Sequence, residues 1–437
     1  MRAVMTSFDG TEVVEGDLLR PDRYRHLFRS FREDGPSIAR GSGLSYCNAS
    51  AAPGVRSLST RAFNRILDFD SYTGQVKVEP GLTVGGLLDF ALTRGWYPPV
   101  LPGHPQITIG GCIGFNVHGK SQHHGGNFRS SVESLVLFHP DHGEIECSRS
   151  ANPDLFDLTL GGFGLTGFVT SATLRLVRRP GGSVFRQRIP ARDLLDTVRI
   201  MEQHASSAAF LYSWNDLTRT GRSFGHGIVY REDFHPGEES DFCRFRSLDS
   251  NRSPAIPLSL WTRQTTPLVN RAYLAWESGK GDESLGLRAA AFPINGREIY
   301  YSLFGRKGFR EFQLLAPRQA WDSIVQEVES LLHCIPVRVT LGSLKLFAGT
   351  QTFLNFGGSG VCLTLDVPAV PASADLFSAL DELAVRTGAI VNVSKDSRLS
   401  ASIAERVFPQ YDLFRSRLKE HDPKGRFSSL LRRRLLG

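Results

Sequence analysis

Over the first 180 residues the apolar positions come in short alternating runs broken by glycine, the pattern of a small sheet with tight connections. Gln75-Val-Lys-Val78 alternates, so 74–79 reads as a strand, and Pro80-Gly81 turns it into a helix over 83–94 that Thr83 opens and Gly95 closes. Further strands are predicted at 37–40, 131–138, 144–148 and 168–177, with a short helix at 154–160. The run Pro140-Asp-His-Gly143 between two of these strands marks a hairpin.

Arg178-Arg-Pro-Gly-Gly182 breaks both helix and strand, and is read as a domain boundary. Beyond it the elements lengthen. A helix is expected over 191–204, strands over 209–215 and 226–231, then a polar, poorly patterned stretch over 233–257. A strand at 311–316, a helix at 319–332, strands at 337–347 and 360–367 and a helix at 374–387 complete the region. This order predicts an antiparallel sheet covered on one face, so the fold class is α+β. No fixed-period repeat occurs.

Composition narrows the class. The chain has 437 residues, enough for two or three domains, with 41% hydrophobic and 22% charged residues, ordinary for a globular protein. No apolar run approaches a membrane span, residues 1–16 lack a signal-peptide core, and the six cysteines are scattered without a CxxC pair. These features lead to the expectation of a cytoplasmic, thiol-reduced protein. The net charge of +7 is dispersed and carries no nucleic-acid motif, so no nucleic-acid partner is expected. Its one concentration is the tail, 415–434, where arginines adjoin Leu430, Leu431, Leu435 and Leu436. The tail reads either as an anionic-membrane contact or, the preferred reading, as a helix with its leucine side docked.

Three glycine-rich segments stand out: 39–46, 102–120 and 161–167. Successive backbone N–H groups in such loops form anion-binding nests, yet none of the three fits a Walker or Rossmann spacing. The chain holds only eight lysines against its many arginines, so a lysine in an apolar setting draws attention. Lys395 follows the apolar run 389–393, Lys345 sits between Leu344 and Leu346, and Gln313 interrupts an apolar strand. A competing reading of Lys395 is an exposed strand-end residue paired with Asp396. His104, His118, His123 and His124 fit no standard zinc spacing, and no metal is expected. Trp214 and Cys362 read as core.

In this order the three segments resemble the flavin-binding domain of the vanillyl-alcohol oxidase / p-cresol methylhydroxylase superfamily. Asp422-Pro-Lys-Gly-Arg-Phe427 is similar to the segment by which such chains return to that domain. The pieces 107–120 with His123, 161–169, Lys345-Leu-Phe347 and Ser394-Lys-Asp-Ser-Arg398 are most similar to its decaprenylphosphoryl-ribose oxidase branch. The resemblance implies an FAD-binding domain over 1–180, a substrate-binding domain over 181–389 and a return over 390–437.

It also implies cofactor contacts. In the first loop these are Ala39, Arg40, Gly41, Ser42, Gly43, Leu44, Ser45, Tyr46 and Cys47, about the FAD pyrophosphate. Along the flavin they are Gly103, Thr108, Ile109, Gly110, Gly111, Phe115, Asn116, Val117 and His118. Gly164, Gly167 and Val169 fall on the adenine side, and Asn392 completes the set. Covalent members carry a histidine where this chain has Leu44, which has no nucleophilic atom, so the flavin is expected to be non-covalent. Lys395 and His118 are the implied catalytic residues; Tyr46, Gln313, Lys345 and Lys395 are the implied substrate contacts.

The expected reaction is oxidation of a secondary hydroxyl, of a polyprenyl-phosphate pentose in that branch, with hydride passing to the flavin. A separate reductase partner would then complete an epimerisation at the inner face of the plasma membrane. Two alternatives stand: the same chemistry on a soluble sugar alcohol, aldonolactone or 2-hydroxy acid, and a non-catalytic scaffold that keeps the fold. Residues 233–260 are expected to shape the entrance.

Overall fold

In a computed structural model the described residues are 2–236, 257–294 and 299–437. The predicted α+β class is observed, with the strands gathered in three larger sheets and one two-stranded ribbon. The first sheet runs Arg2–Thr6, Val13–Leu19, Arg56–Ser59, Ser37–Arg40; its outer pair is antiparallel and the rest parallel. The second is an antiparallel sheet of five strands in the order Ile66–Phe69, Gln75–Val78, Phe168–Arg175, Val132–His139 and Gly143–Ser148. The third has eight strands in the order Glu283–Leu285, Ser183–Ala191, His226–His235, Phe210–Asp216, Leu341–Phe347, Gly360–Pro368, Phe309–Ala316, Ile390–Val391, with every pair antiparallel.

Alternation explains how the large sheet serves both packing and chemistry, because successive side chains of a strand leave opposite faces. On one face Phe312 and Leu314, Leu344, Leu363 and Leu365 join the main core beneath helices Trp321–Cys334 and Pro371–Thr387. The register places Glu311 opposite Asp366, Gln313 opposite Thr364 and Lys345 opposite Cys362 on the other face. That second face carries the polar residues.

Several predicted elements shift. The helix expected over 191–204 is Leu194–His204, capped by Asp193, and Ala191 instead ends the strand Ser183–Ala191. The segment around Thr108, read as loop, contains the helix Ile109–Phe115, whose Thr108 hydroxyl accepts from the Gly111 N–H at 3.2 Å. Helix Thr265–Ser278 was not anticipated. Most of the stretch 233–260 that was expected to shape the entrance, namely 237–256, lies outside the described residues.

The chain end folds back on the first sheet. Ser37 N–H donates to the Arg426 carbonyl at 2.8 Å, and the Asp422 carboxylate accepts from the backbone N–H groups of Arg426 and Phe427. The final helix Leu430–Leu436 buries Leu431 and Leu435 completely. The leucine side that a membrane reading of the tail needs is therefore spent inside the protein. Among the described residues no helix is long and apolar enough to cross a membrane.

Candidate active site

The three glycine segments converge on one cleft. Ala39, Gly41, Ser42, Gly43, Leu44, Ser45 and Tyr46 line it from the first loop, and Thr108, Gly110, Gly111, Phe115 and Val117 from the second. Gly164, Gly167 and Val169 line it from the third, and Lys395 stands on its wall. Gly41 is required by close approach, since a Cβ there would lie 2.3 Å from Thr108 Oγ1. Gly43 holds a φ of +70°, where a side chain is strained. The third loop is fixed by its backbone: Gly161 and Phe163 donate to the carbonyls of Ile113 and Gly114 at the end of the Ile109–Phe115 helix.

Other expected cofactor contacts fall elsewhere. Ile109 is fully buried in core, Cys47 points its thiol at the Val393 carbonyl, and Gly103 stands clear of the cleft. Asn116 adopts a left-handed conformation that ends the helix, with its side-chain oxygen accepting from Arg129 N–H. It therefore directs the chain toward His118 without lining the cleft. Arg40 does not line it either, but stands behind the loop with its guanidinium on Ser50 Oγ at 2.8 Å. Glycine spacing alone did not reveal Ser50, Thr60, Gly114, Phe163 and Ser394, which do line it. Thr60 is positioned by pairing with the first loop, its N–H donating to the Arg40 carbonyl at 2.9 Å.

The residues fit an adenine dinucleotide on two observations. Thr60 Oγ1 is buried on the cleft wall with no hydrogen-bond partner, and the half-buried Arg40 has no carboxylate partner among the described residues, while burial lowers its pKa. A buried donor and a cation without a counterion suit an anionic, hydroxyl-rich ligand.

Beyond Lys395 the cleft meets the polar face of the large sheet. Asn392 extends the last strand, donating its N–H to the Gln313 carbonyl and its side-chain amide to Gln313 Oε1 at 2.7 Å. The turn Asn392-Val-Ser-Lys395 is closed by Lys395 N–H on the Asn392 carbonyl and by Ser394 Oγ on Asn392 Oδ1. This turn sets Lys395 Nζ 3.0 Å from Glu311 Oε1 and 3.5 Å above the Tyr46 ring. The alternative pairing with Asp396 is overturned, because Asp396 holds Arg398 at 2.7 Å instead.

Gln313 ties the cluster together. Its amide donates to Glu311 at 2.6 Å, which leaves Oε1 to accept from Asn392 and from His118 Nε2, 3.2 Å away. That arrangement assigns the His118 proton to Nε2 and leaves Nδ1, which is buried without a partner, as an acceptor. Burial and the nearby Lys345 charge lower the His118 pKa to about 3, so the ring is neutral at ordinary pH. It packs against Phe347 and Phe356 at 5.0 and 5.7 Å between centroids. Tyr46 is a poor base, because burial and the Glu311 charge push its phenol well above the usual range.

Glu311, Asp366 and Tyr300 were not foreseen. Glu311 and Asp366 face one another across the strand pair, and Tyr300 donates to Asp366 Oδ2 at 3.2 Å. Burial and Glu311 raise the Asp366 pKa well above the carboxylate range. Lys345 is half-buried on the same face, and Lys120 is nearby with its amine on the Ala290 carbonyl and 4.6 Å over Tyr212. Burial lowers the Lys120 pKa to about 7. Cys362 is buried with its thiol pushed up to about 11, and Trp214 packs on Tyr273. His123 and His124 meet the backbone carbonyls of Ala208 and Ala209.

Comparison with known proteins supplies a family for the glycine-rich part of the chain. Residues 25–148 match the FAD binding domain family. The chain is 29% identical over 427 residues to decaprenylphosphoryl-beta-D-ribose oxidase of Mycolicibacterium smegmatis, covering 94% of this chain and 92% of that protein. It is 30% identical over 226 residues to D-lactate dehydrogenase of Anaerostipes hadrus, covering 49% and 46%. Over 112 residues it is 32% identical to human Delta(24)-sterol reductase, covering 26% and 22%. Residues 25–148 thus form an FAD-binding domain of PCMH type, and the protein is an FAD-dependent oxidoreductase.

Proposed function

We propose that the protein oxidises a secondary hydroxyl of a pentose carried on a polyprenyl phosphate, giving a keto-sugar. The observation that carries this reading is Lys395, which lines the FAD cleft while its amine pairs with Glu311 on the polar face of the substrate sheet. Bound FAD supplies the hydride acceptor. The chain's own residues handle the rest: Lys395 holds the reacting hydroxyl and passes its proton on, and Tyr46 beneath the amine orients it. His118, neutral and fixed by Gln313, offers an acceptor nitrogen to the sugar. Lys345 on the same face takes the phosphate.

The ionic character of the face supports a neutral hydroxyl as the reacting group over a 2-hydroxy acid. Two carboxyl side chains, Glu311 and Asp366, stand there, and the ammonium nearest the reacting position is already paired. A substrate carboxylate at Lys395 would have to displace Glu311 from its ion pair. Similarity to the M. smegmatis oxidase across 94% of this chain favours the lipid-linked sugar among neutral substrates. A polyprenyl tail places the reaction at the inner membrane face, with a reductase partner completing an epimerisation. Leu44 offers no atom for a covalent flavin, so the cofactor is held without a bond and released by acid precipitation.

The test is a substrate panel. Farnesylphosphoryl-β-D-ribofuranose, xylitol, an aldonolactone and D-lactate are each mixed anaerobically with the purified holoenzyme, and products are identified by mass spectrometry. Turnover of the first with loss of two hydrogens is expected. Turnover of D-lactate alone would overturn the reading.

A further inference from the structure

The reaction needs a place for the hydroxyl proton, and the groups nearest the cleft do not provide one. Tyr46 is held as a phenol and His118 engages Gln313 through its protonated nitrogen. Lys395 makes an ion pair, and an ammonium accepts no further proton. Behind it lie two buried carboxyl groups in register, Glu311 at 3.0 Å from the Lys395 amine and Asp366 across the strand pair. Glu311 is further fixed by the Gln313 amide, and Asp366 by Tyr300, whose hydroxyl is also 2.7 Å from Thr340 Oγ1. Asp366 Oδ1 is buried without a partner.

We propose that Glu311 and Asp366 share one proton in the resting protein and that Glu311 receives the substrate's hydroxyl proton through Lys395. Two buried carboxyl groups set opposite one another on a strand pair and served by one cation do not both ionise, so one stays an acid and the other stays the counterion of Lys395. The raised pKa of Asp366 identifies it as the acid.

In the step, the O–H and C–H bonds of the carbinol break and a C=O bond forms. The hydride leaves to FAD, the oxidant. The Lys395 ammonium gives a proton to the Glu311 carboxylate as it takes the hydroxyl proton, so Lys395 ends as it began and Glu311 ends protonated. Lys395, Tyr46, Tyr300 and Tyr301 stand around the pair, with His118 and Lys345 along the same face. Glu311 and Asp366 thus act as positioning residues through Lys395.

The proposal rests on Lys395 meeting the reacting hydroxyl, and its test separates the two. Infrared spectra of the holoenzyme at neutral pH, with no substrate present, report protonated carboxyl groups directly through their carbonyl stretch. A band is expected in the parent protein and absent from both Asp366→Asn and Glu311→Gln, since either change leaves a lone carboxylate for Lys395. Folding of each variant is checked by its flavin content.

A second reading uses kinetics. Glu311→Gln is expected to lower kcat for farnesylphosphoryl-β-D-ribofuranose by roughly a hundredfold or more with KM little changed, while Glu311→Asp restores part of it. No carboxyl band in the parent protein, or unchanged kcat in Glu311→Gln, would overturn the proposal. A band with normal turnover in Lys395→Ala would instead overturn the reading of Lys395.

Discussion

At the scale of single residues, Gly41→Ala is expected to lose most bound flavin, because its methyl would overlap the hydroxyl of Thr108. The ratio of flavin to protein absorbance in the purified variant checks this. The candidate site is legible in the sequence where an uncommon residue carries it: Lys395, Gln313 and Lys345 are polar side chains in apolar runs, and all three meet on the polar face of the large sheet. Glu311 and Asp366 are not, because an acid in an alternating strand reads as solvent-facing until the register shows what it meets.

His118 makes a second prediction at the same scale. Its folded pKa of about 3 lies below the unfolded value, so between these limits the unfolded chain binds a proton that the folded ring does not. The protein therefore loses stability through His118 as pH falls from about 6.5 toward 3. Asp366, raised, works in the opposite sense, gaining stability as pH falls through its folded pKa. Comparing denaturant midpoints of the parent and His118→Asn across that range isolates the histidine. A smaller acid loss in the variant is expected, and parallel curves would contradict the assignment.

At the scale of elements, alternation located most strands of the large sheet within a few residues, because one face is continuous core. Glycine hid the helix Ile109–Phe115: three of its seven residues are glycine, which propensity assigns to loop, and the Thr108 cap with burial of Cys112 and Ile113 decides otherwise. Ser183–Ala191 was missed because Arg186, Gln187 and Arg188 mask its alternation, and the structure pairs Arg186 with Glu232 and Arg188 with Glu277. Phe312 is the apolar neighbour of both Glu311 and Gln313, its ring tilted against Phe377 with centroids 5.0 Å apart. Phe312→Ala is expected to cost about 3–5 kcal/mol and to weaken the polar face it backs. Urea unfolding measures the first effect and kcat the second.

At the scale of the whole molecule, the C-terminal segment connects the first sheet to the turn that carries Lys395. Tyr411 donates to the Leu435 carbonyl at 2.5 Å, and Arg434 donates to the Ser397 carbonyl, two residues from Lys395. The docked leucines thus hold the turn as well as the fold. Leu431→Ala and Leu435→Ala are each expected to cost about 2–5 kcal/mol, read as a lower midpoint in thermal unfolding. Restored stability without restored turnover in a second-site suppressor would separate the two roles.

Whether Lys395 joins an FAD cleft to a substrate face and takes the proton of a sugar hydroxyl there is decided by one spectrum. Visible absorption is recorded as farnesylphosphoryl-β-D-ribofuranose is mixed anaerobically with the parent protein and with Lys395→Ala. The flavin bands of the parent are expected to bleach, while the variant keeps its flavin and bleaches at least a hundredfold more slowly. Equal bleaching in both proteins, or none in the parent, would contradict the account.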